Sequence, residues 1–178
     1  MTIELRSWSP GDASALHDAY ASSPDLVNQF GTAILATVEL AEEFISKQLP
    51  FTDTSRNWAI TTGGVAVGNV GLSAIEWRHE TAWAYYWLSA SARGRGYAAY
   101  ALAAVSDWAF ARGLFRLELG HRVNNPASCG VARRAGFMPE GIERQKLRYG
   151  DERFDVETHA RLRTDPFPSL TDTSLIRS

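Results

Sequence analysis

The scarcity of cysteine in this sequence of 178 residues excludes a disulfide within the chain. The single cysteine, Cys129, has no partner within the chain. The amino terminus carries Glu4 and lacks the apolar run of a signal peptide, so we expect a protein of the reducing cytoplasm.

The sequence also lacks an excess of charge of one sign. With 18 basic and 20 acidic residues, the formal net charge of -2 gives no general attraction to nucleic acid or to an anionic membrane.

Long apolar runs are absent as well. The most apolar stretch, residues 97–111, is interrupted by Ser106 and Asp107 and does not reach the ~18 uninterrupted apolar residues of a membrane span. The chain is 45% hydrophobic and 11% aromatic, which is enough for one substantial core but little for two. We therefore expect a single domain over residues 1–163. The tail, residues 164–178, is rich in Pro, Ser, Thr and Asp and is expected to be flexible.

Hydrophobic periodicity and turn residues predict a chain of mixed secondary structure. Helices are expected after the capping residues Asp12, Thr37 and Asn125, and a longer helix over residues 97–113. The predicted strands cover residues 3–8, 58–62, 65–76, 82–89, 115–120, 137–147 and 153–163.

The order of these elements predicts the topology of the sheet. A helix connects strand 82–89 to strand 115–120, so these two strands should be parallel neighbours. Short connections elsewhere favour antiparallel pairing. We expect an α+β fold with a mixed, mostly antiparallel central sheet of about six to seven strands, flanked by about four helices.

The segment YYWLSASARGRGYAAYA, residues 85–101, is the most informative part of the sequence. A strand leads through Gly94 and Gly96 into the longest predicted helix. Glycines let the backbone approach a ligand closely, and the amides and dipole of a helix amino terminus attract anions. The segment therefore predicts a pyrophosphate site, although an ordinary strand-to-helix turn with solvated arginines shares these features.

A dinucleotide-binding oxidoreductase is an alternative for the same segment. Gly94, Gly96 and Ala99 fit the looser dinucleotide fingerprint, and Glu118 follows about 20 residues later, where a ribose-binding acid is expected. Residues 89–93, however, separate the glycines from the strand, and several antiparallel strands precede the motif. A classical dinucleotide fold would begin with it.

Two motifs together resemble the GNAT superfamily of acyl-CoA-dependent N-acyltransferases, especially the branch of the ribosomal-protein-alanine N-acetyltransferases. The first is YWLSASARGRGYA, similar to the aromatic strand and pyrophosphate loop of that branch. The second is Asn125-Pro126-Ala127-Ser128 followed by VARRAGF, similar to its Asn-x-x-Ser and Gly-Phe signature. The resemblance extends from about Ile3 to Arg163 and is specific because both motifs occur in the family's order.

This resemblance implies an enzyme that transfers an acetyl group from acetyl-CoA to a primary amine, by direct attack in a ternary complex and without a metal. The acceptor is a small molecule or a protein amino terminus, and a homodimer is an open option. The implied contacts to acetyl-CoA are Trp87, Leu88, Ser89, Arg93, Gly94, Arg95, Gly96, Tyr97, Ala98, Asn125, Ser128 and Arg134. Asn125, Ser128 and Arg134 also have purely structural interpretations as a helix cap, a first-turn residue and a solvated side chain.

The proton donor and the base are the open points of the chemistry, since amine attack on a thioester needs both a neutral amine and a protonated leaving group. The resemblance implies Ser128 as the donor, because Ala132 stands where many relatives carry a tyrosine; water is the alternative. Four titratable groups are placed to relay a proton through water, namely Glu76, Glu80, Glu118 and His121, and our preferred candidate bases are Glu118 and Glu76. Trp83 stands where relatives often carry an acid, which leaves the base undecided.

Two further residues have non-catalytic interpretations. His121 has neither a metal-ligand spacing nor a nucleophile beside it in the sequence, and is interpreted as a core histidine. Cys129 is interpreted as a small buried hydrophobe within a helix. A non-catalytic acyl-CoA-binding module remains a second functional class, motivated by Trp83 and Ala132.

Overall fold

One seven-stranded sheet organises the protein, in a computed structural model that describes residues 3–31, 33–168 and 170. The strands are β1 (Ile3–Ser7), β2 (Arg56–Thr62), β3 (Val65–Glu76), β4 (Thr81–Leu88), β5 (Arg116–Arg122), β6 (Met138–Tyr149) and β7 (Glu152–Leu162). The α-helices are α1 (Ala13–Ser22), α2 (Val38–Gln48), α3 (Tyr97–Ala111) and α4 (Pro126–Arg134). Within these residues no helix is long and apolar enough to cross a membrane.

The sheet has the strand order β1-β2-β3-β4-β5-β7-β6. All neighbours pair antiparallel except β4 and β5, which are parallel and joined through α3. This confirms the predicted α+β fold with a mixed, mostly antiparallel sheet. The parallel pair arises because the α3 crossover returns the chain to the same end of the sheet.

The pairing between β4 and β5 is short. It covers three residue pairs, from Thr81 with Arg116 to Trp83 with Glu118. Past this point β4 continues its pairing with β3, and β5 continues with β7 as far as Arg122. The two strands therefore diverge, and the sheet opens between their carboxyl-terminal halves.

Two buried clusters cover the two faces of the sheet. Helix α3 fills the first, where Ala101, Leu102 and Val105 are fully buried against strand residues. The helix predicted over residues 97–113 is confirmed at Tyr97–Ala111, and burial extends round most of α3, as expected for a helix that is apolar on nearly all sides. Trp87 belongs to the second cluster, between the sheet and helices α1 and α2, where its ring lies 5.4 Å from the ring of Phe30.

Side-chain caps mark where two of the four described α-helices begin, α2 and α4. The Thr37 hydroxyl accepts a hydrogen bond from the Leu40 amide at 3.3 Å, and the Asn125 side chain accepts one from the Ser128 amide at 3.2 Å, as predicted. Asp12 occupies the cap position of α1, but its carboxylate makes no cap hydrogen bond to that helix and accepts one from the Ser9 amide before it, at 2.9 Å. It instead accepts two hydrogen bonds of 2.7 Å from Arg6, so the predicted capping role of Asp12 is wrong.

The beginning of the predicted tail contacts the folded body. The Leu162 amide donates to Asp165 at 2.8 Å, and Leu170 packs against the cluster around α3. Residues 169 and 171–178 of the tail lie outside the described residues. A domain boundary at residue 163 stays a prediction.

The Arg6–Asp12 pair predicts a pH-dependent contribution to stability. Burial opposes ionisation of Asp12, but hydrogen bonds from Arg6 and Ser9 outweigh it and lower the pKa of Asp12. A carboxylate with a lowered pKa stabilises the fold above its unfolded pKa, and this contribution is lost as the pH falls through the folded pKa. We expect Asp12→Asn to reduce the free energy of unfolding by about 1–3 kcal/mol at neutral pH, and by less in acid.

Urea denaturation of both proteins at neutral and acidic pH measures this difference. Asp18→Asn is the control, because that side chain is 79% exposed. A loss from Asp12→Asn that is the same at both pH values would contradict the assignment.

Candidate functional site

The divergence of β4 from β5 opens a cavity of about 550 Å³. Its walls come from the ends of β4 and β5, the loop before α3 and the first turn of that helix, one side of α4, the end of β6 and the 3₁₀ turn at Pro24–Gln29. A cavity of this size lies within the range of small-molecule and cofactor sites. The cavity is therefore the candidate functional site.

The glycine loop before α3 forms one end of the cavity. Gly94 and Gly96 have φ angles of 76° and 81°, which L side chains rarely adopt, and Gly96 is the residue from which α3 begins. Among the described residues, the amides of Gly94, Gly96 and Ala98 donate to no carbonyl or side-chain acceptor. Amides at a helix amino terminus attract anions, so the local geometry has the properties of a phosphate site.

Arg93 holds this loop against its surroundings. Its Nε donates to the Leu88 carbonyl at 3.1 Å, and its Nη2 lies 2.9 Å from a carboxylate oxygen of Asp25. The Ala90 amide donates to the Ser23 hydroxyl at 3.0 Å. The loop is thus fixed both to the end of β4 and to the chain around the 3₁₀ turn.

The predicted cofactor contacts fall into two groups. Ten of them line the cavity: Trp87, Leu88, Arg93, Gly94, Gly96, Tyr97, Ala98, Asn125, Ser128 and Arg134. Ser89 and Arg95 lie outside the lining. Ser89 is buried, and its amide donates to the Val67 carbonyl at 2.9 Å. The structure thus brings together residues that are separated by more than thirty positions in the sequence, because both β4 and α4 border the cleft.

The first turn of α4 forms the other end of the cavity. Ser128 lies here, and its carbonyl accepts a hydrogen bond of 3.4 Å from the Tyr86 hydroxyl. Burial raises the pKa of Tyr86, which keeps this hydroxyl protonated at neutral pH. Tyr86 lines the cavity and was missed by the sequence analysis; its place beside Trp87 in the aromatic strand was the available signal. Ala132 is fully buried one turn further along α4.

Both candidate bases lie outside the cavity lining. Glu76 is exposed at the end of β3, where its carboxylate accepts hydrogen bonds from the Arg78 and His79 amides of the following turn at 2.9 and 2.7 Å. These backbone hydrogen bonds lower the pKa of Glu76. Glu118 is paired with Arg116 at 2.7 Å. The described geometry therefore gives neither carboxylate a position next to a ligand in the cleft.

Trp83 forms part of the cavity wall next to Gly120. A Cβ atom added at Gly120 would lie 3.2 Å from the Trp83 ring and 2.8 Å from Val156. Because Gly120 has no side chain, the Trp83 ring can lie against β5. The Lys146 ammonium nitrogen lies over the Trp83 ring, 5.4 Å from the ring centroid.

His121 borders the cavity and belongs to a polar cluster beneath it. Its Nε2 atom lies 3.1 Å from Nε2 of His159 and 3.3 Å from a carboxylate oxygen of Glu157. His121 is 8% exposed and His159 is 1% exposed. The interpretation of His121 as a buried histidine agrees with this placement, although the contacts are polar rather than apolar.

Three comparisons relate the chain to known proteins. The family described as Acetyltransferase (GNAT) domain matches residues 2–138. The ribosomal-protein-serine acetyltransferase of Escherichia coli (strain K12) is 36% identical over 97 residues, which are 54% of this chain and 54% of that protein. The aligned region thus spans about half the length of this relative.

Two solved structures are similar over nearly the whole chain. One is RimL, a ribosomal L7/L12 alpha-N-protein acetyltransferase in complex with coenzyme A, with a TM-score of 0.81, 26% identity and coverage of 91% of this chain and 94% of that one. The other is an acetyltransferase from Salmonella typhimurium that modifies the N-terminal serine of ribosomal protein L7/L12, with a TM-score of 0.78, 27% identity and coverage of 91% and 95%. These matches leave no support for the dinucleotide-binding alternative.

The left-handed conformation of Gly96 predicts a binding defect for a substitution. Gly96→Ala places a Cβ in a backbone conformation that costs about 1–2 kcal/mol, so the loop shifts out of its anion-binding geometry. We expect coenzyme A to bind about tenfold more weakly, measured by isothermal titration calorimetry. Gly113→Ala is the matched control, because Gly113 has a φ of 103° at the far end of α3. Equal affinities for the two variants would contradict a role of the loop in binding.

Proposed function

The chain belongs to the acetyltransferase (GNAT) family, and on that basis we propose that it transfers the acetyl group of acetyl-CoA to a primary amine by direct attack in a ternary complex. The observation that carries the proposal is the cleft between β4 and β5, with a phosphate-type loop at one end and Ser128 at the other. The first feature suits the pyrophosphate of coenzyme A. With the pyrophosphate at this loop, the thioester of acetyl-CoA would lie near Ser128.

The chemistry of the two cleft ends supports this orientation of the cofactor. In the proposed complex the amides of Gly94, Gly96 and Ala98 bind the pyrophosphate, and Arg134 approaches the adenosine phosphate. The pantetheine arm runs along the unpaired edge of β4 at Trp87 and Leu88, since β5 has diverged there and no longer covers it. No metal takes part in the reaction.

The proposed reaction forms one bond and breaks one bond at the acetyl carbon. The amine nitrogen attacks the thioester carbonyl, the carbon–sulfur bond breaks, and the acetylated amine releases a proton to solvent water. Ser128 donates its hydroxyl proton to the leaving sulfur and regains one from solvent. Tyr86, held at the carbonyl of Ser128, is a second hydroxyl at this end of the cavity, and its burial favours a structural role.

The charges around the cavity restrict the acceptor. Arg93, Arg122 and Arg134 line the cavity, whereas Asp25 is the single carboxylate among the described lining residues and is paired with Arg93. A polyamine carries several positive charges and would need carboxylates to replace its water shell. We therefore propose an acceptor with a single amine.

The absence of a carboxylate base from the described cavity lining favours an α-amino group as that amine. An α-amino group has a pKa of about 7.7–8.0, against about 10.4 for a lysine-type amine. A substantial fraction is thus already neutral near pH 7, and little help from a protein base is needed. The two solved relatives described above are named for amino-terminal acetylation, which supports a protein or peptide amino terminus here.

Removal of the proposed proton donor predicts a defect in turnover rather than in binding. We expect Ser128→Ala to lower kcat by about tenfold to a thousandfold, because general acid catalysis contributes on that scale, while KM for acetyl-CoA changes little. Release of free thiol from acetyl-CoA, with a peptide acceptor, measures both constants. Ser46→Ala, on exposed helix α2, is the control. Full activity of Ser128→Ala would leave water as the donor.

The proposed acceptor predicts a substrate preference and a pH profile. We expect acetylation of short peptides with a free amino terminus and little acetylation of spermidine. The rate at subsaturating peptide should rise with pH and level off near the α-amino pKa of about 7.7–8.0, because only the neutral amine attacks. Mass spectrometry of the products identifies the acetylated nitrogen. Preferential acetylation of spermidine would contradict the acceptor, and binding of acetyl-CoA without turnover of any amine would favour the non-catalytic module.

A further inference from the structure

Four metal-ligating side chains converge beneath the cavity. They are His121, Cys129, Glu157 and His159, and one ligand atom from each lies within 4.8 Å of all the others. They come from three elements, β5, α4 and β7, whose positions in the sequence are far apart. The proposed acetyl transfer uses none of them.

The sheet register explains why three of these side chains lie together. His121 on β5 is the direct partner of Glu157 on β7. His159 follows Glu157 by two residues, so it points to the same face of the sheet. Helix α4 lies beside this face and brings Cys129 to the same point.

The distances among the two histidine nitrogens and the Glu157 oxygen are close to those of a metal coordination sphere, and the Cys129 sulfur lies within 4.8 Å of each of them. The Nε2 atoms of His121 and His159 are 3.1 Å apart, and they lie 3.3 and 3.0 Å from one carboxylate oxygen of Glu157. In a tetrahedral zinc site with metal–ligand bonds of about 2.0–2.1 Å, neighbouring ligand atoms are separated by about 3.3 Å. One cation between the three atoms therefore needs only small shifts of the side chains.

The second ring nitrogen of each histidine faces a backbone carbonyl. Nδ1 of His121 lies 3.0 Å from the Arg122 carbonyl, and Nδ1 of His159 lies 3.5 Å from the Phe137 carbonyl. A protonated Nδ1 in each ring leaves both Nε2 atoms as lone-pair acceptors, directed at each other and at a carboxylate. Metal-bound histidines in proteins are commonly oriented by such an outer contact. Nε2 of His159 lies 3.0 Å from the Glu157 carboxylate, a hydrogen-bonding distance. A cation at the centre would replace this contact with bonds to all four ligand atoms.

We propose that His121, Cys129, Glu157 and His159 bind one zinc ion. Zinc accepts nitrogen, sulfur and oxygen ligands in tetrahedral geometry, and the two anionic and two neutral ligands of this set balance its charge of +2. Charge balance matters here because both histidines are buried. On binding, the Cys129 thiol loses its proton to solvent and the sulfur becomes the ligand.

Four protein ligands leave no open position for substrate, so the zinc ion has a structural role. It links α4 to β5 and β7 immediately beside Ser128, at the end of the cavity where acetyl transfer is proposed. This inference does not depend on the proposed function, because metal binding is measured without coenzyme A or an acceptor.

Metal binding to the purified full chain tests the proposal directly. The protein is treated with a chelator, returned to chelator-free buffer under reducing conditions, and titrated with zinc against a chromophoric competitor. We expect one equivalent to bind with submicromolar affinity and to raise Tm. Cobalt, used as a spectroscopic substitute, should give the visible absorption of a tetrahedral site and a thiolate-to-metal charge-transfer band in the near ultraviolet.

Three single substitutions assign the ligands. Cys129→Ser, Glu157→Gln and His159→Gln should each weaken zinc binding by at least about tenfold, and Cys129→Ser should also remove the charge-transfer band. His79→Gln, in an exposed turn, is the control and should bind zinc like the wild type. Circular dichroism of each metal-free variant checks that the variant is folded. A single ligand variant that folds is enough to compare its zinc affinity with that of the wild type. Failure of the wild type to bind zinc, or unchanged binding by the folded ligand variants, would overturn the proposal and leave a hydrogen-bonded cluster.

Discussion

The short parallel pairing between β4 and β5 is the constraint on which the rest of the structure depends. Both strands satisfy their backbone hydrogen bonds on their outer sides, β4 with β3 and β5 with β7, so they can separate from each other after three residue pairs. Among the described residues, the separation leaves the carboxyl-terminal half of one β4 edge without a strand partner. It also places the glycine loop before α3 at one end of the resulting cleft and the start of α4 at the other.

Because β4 and β5 diverge, the proposed cofactor-binding loop and the proposed proton donor Ser128 border the same cavity. Anion binding at the loop relies on amides that Gly94 and Gly96 can direct into the cleft, and Arg93 fixes the loop by its contacts with Leu88 and Asp25. Because Arg93 also neutralises Asp25, the described cavity carries little negative charge. A cleft of this kind favours a phosphate-bearing cofactor and disfavours a polycationic acceptor.

Local signals in the sequence predicted much of this arrangement. The caps at Thr37 and Asn125, the glycine loop and the crossover through α3 each depend on neighbouring residues, and the structure confirms them. Features that depend on side-chain pairing or on strand register were missed. Asp12 pairs with Arg6 instead of capping a helix, and the His121 cluster forms only because β5 pairs with β7 in one register. Glu76 and Glu118 were chosen by type and position in the sequence, which do not reveal that other groups already hold their carboxylates.

Hydrogen–deuterium exchange with and without saturating acetyl-CoA tests the central claim most directly, that the cleft between β4 and β5 binds the cofactor. The account predicts slower exchange of the amides of residues 93–98 and of the start of α4, with little change in β1, β2 and α2. Protection confined to other parts of the chain, or no protection at concentrations that saturate related acetyltransferases, would contradict it.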